Sequence, residues 1–168
     1  LTSNGQGSAV TWADPTGGMV SETTVSATGS SVVVPIPANA RRATIVINDV
    51  SYTGIPGSLT DIQLSVGGVP VTSGYNSALM SSTGTATQTE GLASIGVSTA
   101  GTVIYGMYEL VNPFGNTWSL NGQNFRIGED VFMNQVGQIT LAGAADGIVF
   151  SAGASTFDAG SFTVMFYS

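Results

Sequence analysis

From residue 41 to 51 the chain reads RRATIVINDVS, with Ala43, Ile45 and Ile47 set against Thr44, Val46 and Asn48. That alternation is the period of a β-strand with one buried face. It recurs at 155–168, STFDAGSFTVMFYS, where Phe162, Val164 and Phe166 alternate with Thr163, Met165 and Tyr167. It recurs again at Ile62, Leu64 and Val66, and over TVIYGMYELV at 102–111. SSVVVPIP at 30–37 is an apolar strand closed by Pro35 and Pro37, which suits a sheet edge because proline cannot donate to a ladder.

Turn chemistry separates these runs. Gly67-Gly68, Asn121-Gly122 and Asp146-Gly147 each stand where a two-residue hairpin needs positive φ. Residues 76–101 are mostly Ser, Thr, Ala and Gly and predict a short, weakly specified strand beside a long loop. No stretch keeps the i, i+3, i+4, i+7 apolar spacing of a helix. The pattern predicts an all-β chain, an antiparallel jelly-roll-like β-sandwich over 30–168. Residues 1–29 read as an N-terminal connector with at most one short strand.

Composition sharpens this picture. The 168 residues include 23 glycines, while charged residues make up only 8% against about 25% in typical domains, so the polar surface must be Ser, Thr, Asn, Gln and Gly. Sheet edges are commonly blocked with lysine, and this chain has none, its three cations being Arg41, Arg42 and Arg126. Either bulges and loops of the same chain cover the edges, or identical subunits cover edges and apolar faces; the second, an oligomer, is expected. A net charge of −7 opposes binding to nucleic acid, which needs a basic stripe, and to anionic lipid. No apolar run approaches the ~20 residues of a membrane span.

Little catalytic chemistry is open to such a chain. Without His, Cys or Lys, neither a Ser-His-Asp triad, a thiolate nucleophile, a Ser-Lys dyad nor a P-loop can form. No aspartate-rich calcium loop is present, and a zinc site would have to be built from carboxylates alone, so no metal and no cofactor are expected. A carboxylate pair is the one enzymatic route left. Its candidates are Asp49, Asp61, Glu90, Glu109, Glu129 and Asp130, whose spacing brings no two together on one strand face.

Four aromatic residues, Tyr52, Tyr75, Phe114 and Trp118, fall in or near predicted loops, where a ring can stack on a sugar or anchor a protein. Tyr52 and Tyr75 are taken as the receptor-contact candidates. Arg41 and Arg42 open a strand and can hold an anionic group or pair with the chain's acids. Asp158 in TFDAG suits an Asx-type turn.

Four segments, in order, resemble a known family. LTSNGQGSAVTW at 1–12, VPIPANARRATIVINDVSYTG at 34–54, IQLSVGGVPVTSGYNS at 62–77 and STFDAGSFTVMFYS at 155–168 are similar to phrases of bacteriophage tail-fibre C-terminal domains. The last is the nearest match, and residues 78–154 depart most. The resemblance implies a non-enzymatic, receptor-facing domain of a virion appendage on the outside of the cell, usually a homotrimer. Its partners would be other virion proteins, joined through an upstream region preceding Leu1, and a host cell-surface glycan or protein. A capsid decoration or head-fibre protein is the alternative, and a glycan-degrading tailspike-like enzyme a further one.

Overall fold

The computed structural model describes residues 18–53, 59–82, 84–96 and 101–168. Its strands are β1 (Met19–Ser26), β2 (Ser31–Pro35), β3 (Arg42–Thr53), β4 (Leu59–Val66), β5 (Val69–Pro70), β6 (Asn76–Ser81) and β7 (Gly84–Gln88). They continue with β8 (Ala93–Gly96), β9 (Val103–Phe114), β10 (Thr117–Ile127), β11 (Val131–Thr140), β12 (Gly147–Ser151) and β13 (Thr156–Tyr167). No helix occurs among the described residues, and every pairing is antiparallel.

One sheet has eight strands in the order β1-β13-β3-β9-β10-β11-β6-β7; the other has five, with β2-β12-β4 followed by β5 and β8 on the same side of β4. The neighbours β1-β13-β3-β9 facing β2-β12-β4-β8 reproduce the strand order of a jelly roll, two Greek keys folded into a two-sheet sandwich. The larger sheet then continues past β9 into a four-strand extension, β10-β11-β6-β7. β10 and β11 come from the chain between β9 and β12, and β6 and β7 from the chain between β5 and β8.

The core follows the predicted alternation. Ala43, Ile45 and Ile47 of β3 and Phe162, Val164 and Phe166 of β13 are buried, facing Ile62 and Leu64 of β4 and Phe150 of β12. Phe150 stacks on Phe162 across the sandwich, with centroids 4.0 Å apart and rings 5° from parallel. Phe157 meets Phe162 edge-on at 5.3 Å. Each fully buried ring of this kind contributes about 1.5–3 kcal/mol by area removed from water.

The terminal phrase is held on both sides, since β13 pairs with β1 and with β3. Its Asp-Ala-Gly is a bulge. The β3–β13 register shifts between Phe157 and Ser161, opposite a second irregularity between Ile47 and Val50 where Asp49 takes φ 57°. Gly160 has φ 94°, and a Cβ there would lie 2.4 Å from the Asp49 carbonyl oxygen, so only glycine fits. Asp158 makes no Asx turn; it lies within β13 and accepts a hydrogen bond from Ser51 Oγ on β3.

Two predicted hairpins are corrected. Gly67-Gly68 does turn between β4 and β5 with φ 62° and 76°, but Asn121-Gly122 lies inside β10. Gly122 is there for space, because a Cβ would meet the Tyr108 ring at 2.3 Å. Asp146-Gly147 is no hairpin either: β12 crosses to the other sheet, and Asp146 accepts from Ser65 Oγ and Gly68 N of the β4–β5 hairpin. The domain also begins earlier than predicted. Residues 19–26 are a strand of the larger sheet, while 1–17 lie outside the described residues. The stretch at 76–101 holds three strands, β6, β7 and β8, instead of one.

Candidate functional site

Neither predicted receptor-contact tyrosine offers its ring to solvent. Tyr52 lies near the end of β3, 6% exposed, with its ring packed against Phe157 at 5.3 Å. Tyr75 is 3% exposed; its hydroxyl donates to Val71 O and accepts from Leu64 N, 2.9 Å each. Burial pushes its pKa up to about 12, as suits a hydroxyl that pins the β4–β5 hairpin. Trp118 is also buried, and its indole N–H has no acceptor among the described residues. Of the four loop aromatics, Phe114 alone projects, 71% exposed beside the β9–β10 turn.

The exposed apolar groups lie instead on the outer face of the eight-stranded sheet. Strand register places Tyr105, Phe125 and Phe132 side by side across β9, β10 and β11. The next row runs Met107, Gln123, Asn134, Met80, and the next Glu109, Asn121, Val136, Ala78. Met107, Met80 and Val136 are each more than half exposed. Across β9, β10, β11 and β6 the outward side chains include a single charge, Glu109, held by Arg42 at 2.6 Å and by Thr44 at 2.6 Å. Partial burial opposes ionisation of Glu109, but the bonds from Arg42 and Thr44 prevail and lower its pKa. The outermost strands of this sheet among the described residues, β1 and β7, carry one charge between them, Glu22.

The sequence pattern alone does not reveal this face, because no facing is readable along 102–140. In NFRIG at 124–128, for instance, Phe125 and Ile127 point out while Arg126 points in. The cue was there: β9, β10 and β11 carry large apolar side chains at both phases of the alternation.

The inner face of the extension is mixed: Trp118, Leu120, Met133 and Ile139 are buried there beside a group of buried polar side chains. Asn124 Nδ2 donates to Tyr108 Oη at 2.7 Å, and Gln135 takes the Ser94 amide on its Oε1 at 2.7 Å. Arg126 is paired with Glu129 at 2.8 Å, and Thr102 Oγ1 donates to the same carboxylate at 3.0 Å. Burial raises the Tyr108 pKa strongly.

The six acids considered for catalysis are dispersed. Asp49 accepts from Tyr105 Oη, while Glu109 and Glu129 are bound to arginines. Asp61 and Glu90 do come within electrostatic reach of each other: Asp61 is buried on β4, and its pKa is raised by that burial and further by the Glu90 charge. Among the described residues no group of three or more acids, His or Cys is placed to hold a metal ion, and no helix is long and apolar enough to cross a membrane.

The two arginines considered for anion binding part company. Arg42 is committed to Glu109. Arg41 makes no ion pair with any described carboxylate and meets Asn112 Oδ1 at 3.4 Å, at the rim of a cavity of about 350 Å³ at one end of the sandwich.

Comparison with models of protein families, with curated proteins and with solved structures finds no match.

Proposed function

We propose that this chain is a non-enzymatic receptor-recognition domain of a bacteriophage fibre or related virion appendage, acting as a homotrimer outside the host cell. The observation that carries the reading is where the family-like phrases fall. Three of them contribute β2–β3, β4–β5 and β13, strands of the sandwich itself. The stretch least like the family, 78–154, supplies three sandwich strands, β8, β9 and β12, and nearly the whole of the extension: all of β7, β10 and β11 and most of β6. A shared scaffold with its own added surface is how recognition domains diversify.

The outer face supports association with further copies of the chain. Four strands at ~4.8 Å spacing and about ten residues long make roughly 600 Å² of flat sheet, before side-chain relief, against ~800 Å² per partner in a standard interface. A face without unpaired charge can pack against neighbouring copies around a threefold axis although each protomer carries −7. Threefold repetition would give weak receptor sites an avidity gain of about 10²–10⁴.

The test has two parts. Light scattering across a dilution series should give a stable mass near three times 17.0 kDa. Replacing Phe125 and Phe132 by serine should return it to the monomer, with the fold intact because both rings are outward. Fluorescently labelled protein should then adsorb to host bacteria saturably. Binding to capsids with no binding to cells would replace the reading by a decoration protein, and release of reducing ends from host polysaccharide by a glycanase.

A further inference from the structure

We propose that the cavity beside Arg41 is a binding site for a sugar acid, a monosaccharide bearing one carboxylate. Five separate pieces of chain converge there: the segment after β2, the approach to β3, the end of β9, the start of β10, and the loop before β12. Its room comes from small residues, Ala38, Ala40, Gly115, Ala144 and Ala145, and its volume of about 350 Å³ lies within the ~300–1,000 Å³ usual for small-ligand sites.

The walls are tied to one another. Arg41 N donates to Tyr167 O at 2.8 Å, Asn112 N to Arg41 O at 2.7 Å, Leu141 N to Asn116 O at 3.0 Å, and Ile36 N to Asp146 O at 2.9 Å. Asn112 Nδ2 closes the β9–β10 turn on Gly115 O at 2.9 Å. A cleft braced in this way keeps its shape without a ligand, which lowers the ordering cost of binding.

The chemistry of the lining selects the ligand class. Arg41 is the only one of the chain's three arginines without a carboxylate partner among the described residues, and its single side-chain contact, 3.4 Å to Asn112, uses little of a five-donor fork. The acid in the lining, Asp146, is ionised, and its oxygens accept from Ser65 Oγ and Gly68 N of the β4–β5 hairpin, so it makes no ion pair with Arg41. One unpaired guanidinium matches one carboxylate, with two parallel N–H···O bonds. The net charge of −7 opposes any anion, and a phosphate dianion more than a single carboxylate. The amides of Asn112 and Asn116 suit ring hydroxyls, and Pro37 with the alanines suits the C–H face of a pyranose.

This site is independent of the trimer. It rests on the receptor reading only for the source of its ligand, an acidic residue of a surface polysaccharide instead of a free sugar acid.

The experiment is an amide- and indole-resolved NMR titration of the whole chain with glucuronate, with methyl glucoside and acetate as controls. Glucuronate should bind with Kd on the order of 1–10 mM. Shifts should cluster at Arg41, Asn112, Asn116 and the Trp118 indole. Arg41→Gln should weaken binding at least ~10-fold, as expected for losing a charged hydrogen-bonded pair. Arg42→Gln should leave it within about twofold, since that side chain is already committed.

Equal binding of methyl glucoside or of acetate would overturn the assignment. So would shifts mapping elsewhere, or none up to about 20 mM. If Arg41→Gln does not fold, the wild-type shift map and its loss in high salt decide alone. Competition separates the two proposals. Adsorption to cells that glucuronate fails to inhibit removes the site's role and keeps the receptor reading; uronate binding without cell adsorption does the reverse.

Discussion

The two halves of the eight-stranded sheet are held in opposite ways. Under β13, β3 and β9 lies a hydrocarbon interior, with Phe150 stacked on Phe162 and the second sheet closing over both. Under β10 and β11 lie Tyr108, Asn124, Gln135 and the Arg126–Glu129 pair, backed by the β8 segment. The first half gains stability from area; the second fixes register by matching donors to acceptors, and its outer face keeps apolar groups that the interior did not take. The sandwich is thus the part built to persist, and the extension the part built to present a surface.

Substitutions test this contrast. Phe162→Ala, in the hydrocarbon half, should cost about 3–5 kcal/mol in chemical denaturation. A loss under 1 kcal/mol would mean the stacked pair is not the centre of the core. Glu129→Gln in the polar half should cost nearly as much, about 3 kcal/mol, because it leaves Arg126 buried with an unmatched charge. Replacing both Arg126 and Glu129 by apolar residues of similar size should recover most of that loss. If the double change is as damaging as the single, the pair does more than specify register. Gly122→Ala should cost about 3 kcal/mol, because its Cβ meets the Met107 carbonyl oxygen at 2.4 Å and Tyr108 Cα at 2.6 Å as well as the Tyr108 ring. Tyr108→Ala in the same chain should recover only the smaller part due to the ring.

The smallest effect is a gain. The folded-state pKa of Asp61 is raised above its unfolded value, so its ionisation weakens the fold as pH climbs through that window. Asp61→Asn should therefore raise Tm at pH 7. The advantage should fade as pH falls below the ordinary aspartate pKa, where both states are protonated. An advantage independent of pH would assign the gain to packing.

How much of this was legible in the sequence divides along the same line. Where one face is buried and the other wet, as in β3 and β13, alternation gave strand and facing correctly. The edge position of β2 followed from Pro35. In the extension the rule failed, because both faces carry large apolar side chains and the inward set mixes Trp118, Leu120 and Ile139 with polar Asn124, Arg126 and Gln135. Asn121-Gly122 misled for a related reason: dipeptide statistics read a glycine as a bend, whereas here it is the gap into which a tyrosine from the next strand fits.

The candidate site was half visible. The Arg41-Arg42 doublet was noticed, but only tertiary pairing shows that one is spent on Glu109 and the other is not. Tyr52 and Tyr75 were chosen for loop position and aromatic character, and both are structural. Loop aromatics in a glycine-rich β-protein also close the ends of its core, and sequence does not distinguish the two uses.

The place of β13 has a consequence for how the chain reaches this state. Residues 156–167 lie between strands drawn from 19–26 and 42–53, so the β1 end of the larger sheet joins segments more than a hundred positions apart. Such non-local pairing places folding on the slow, millisecond-to-second side for β-rich domains. Until β13 arrives, β1 has no partner and β3 keeps an open edge of Ile45 and Ile47. A nascent chain is then most exposed to misassembly while β13 is still missing. Phe162→Ala, by weakening what captures that strand, should lengthen this interval as well as lower the final stability.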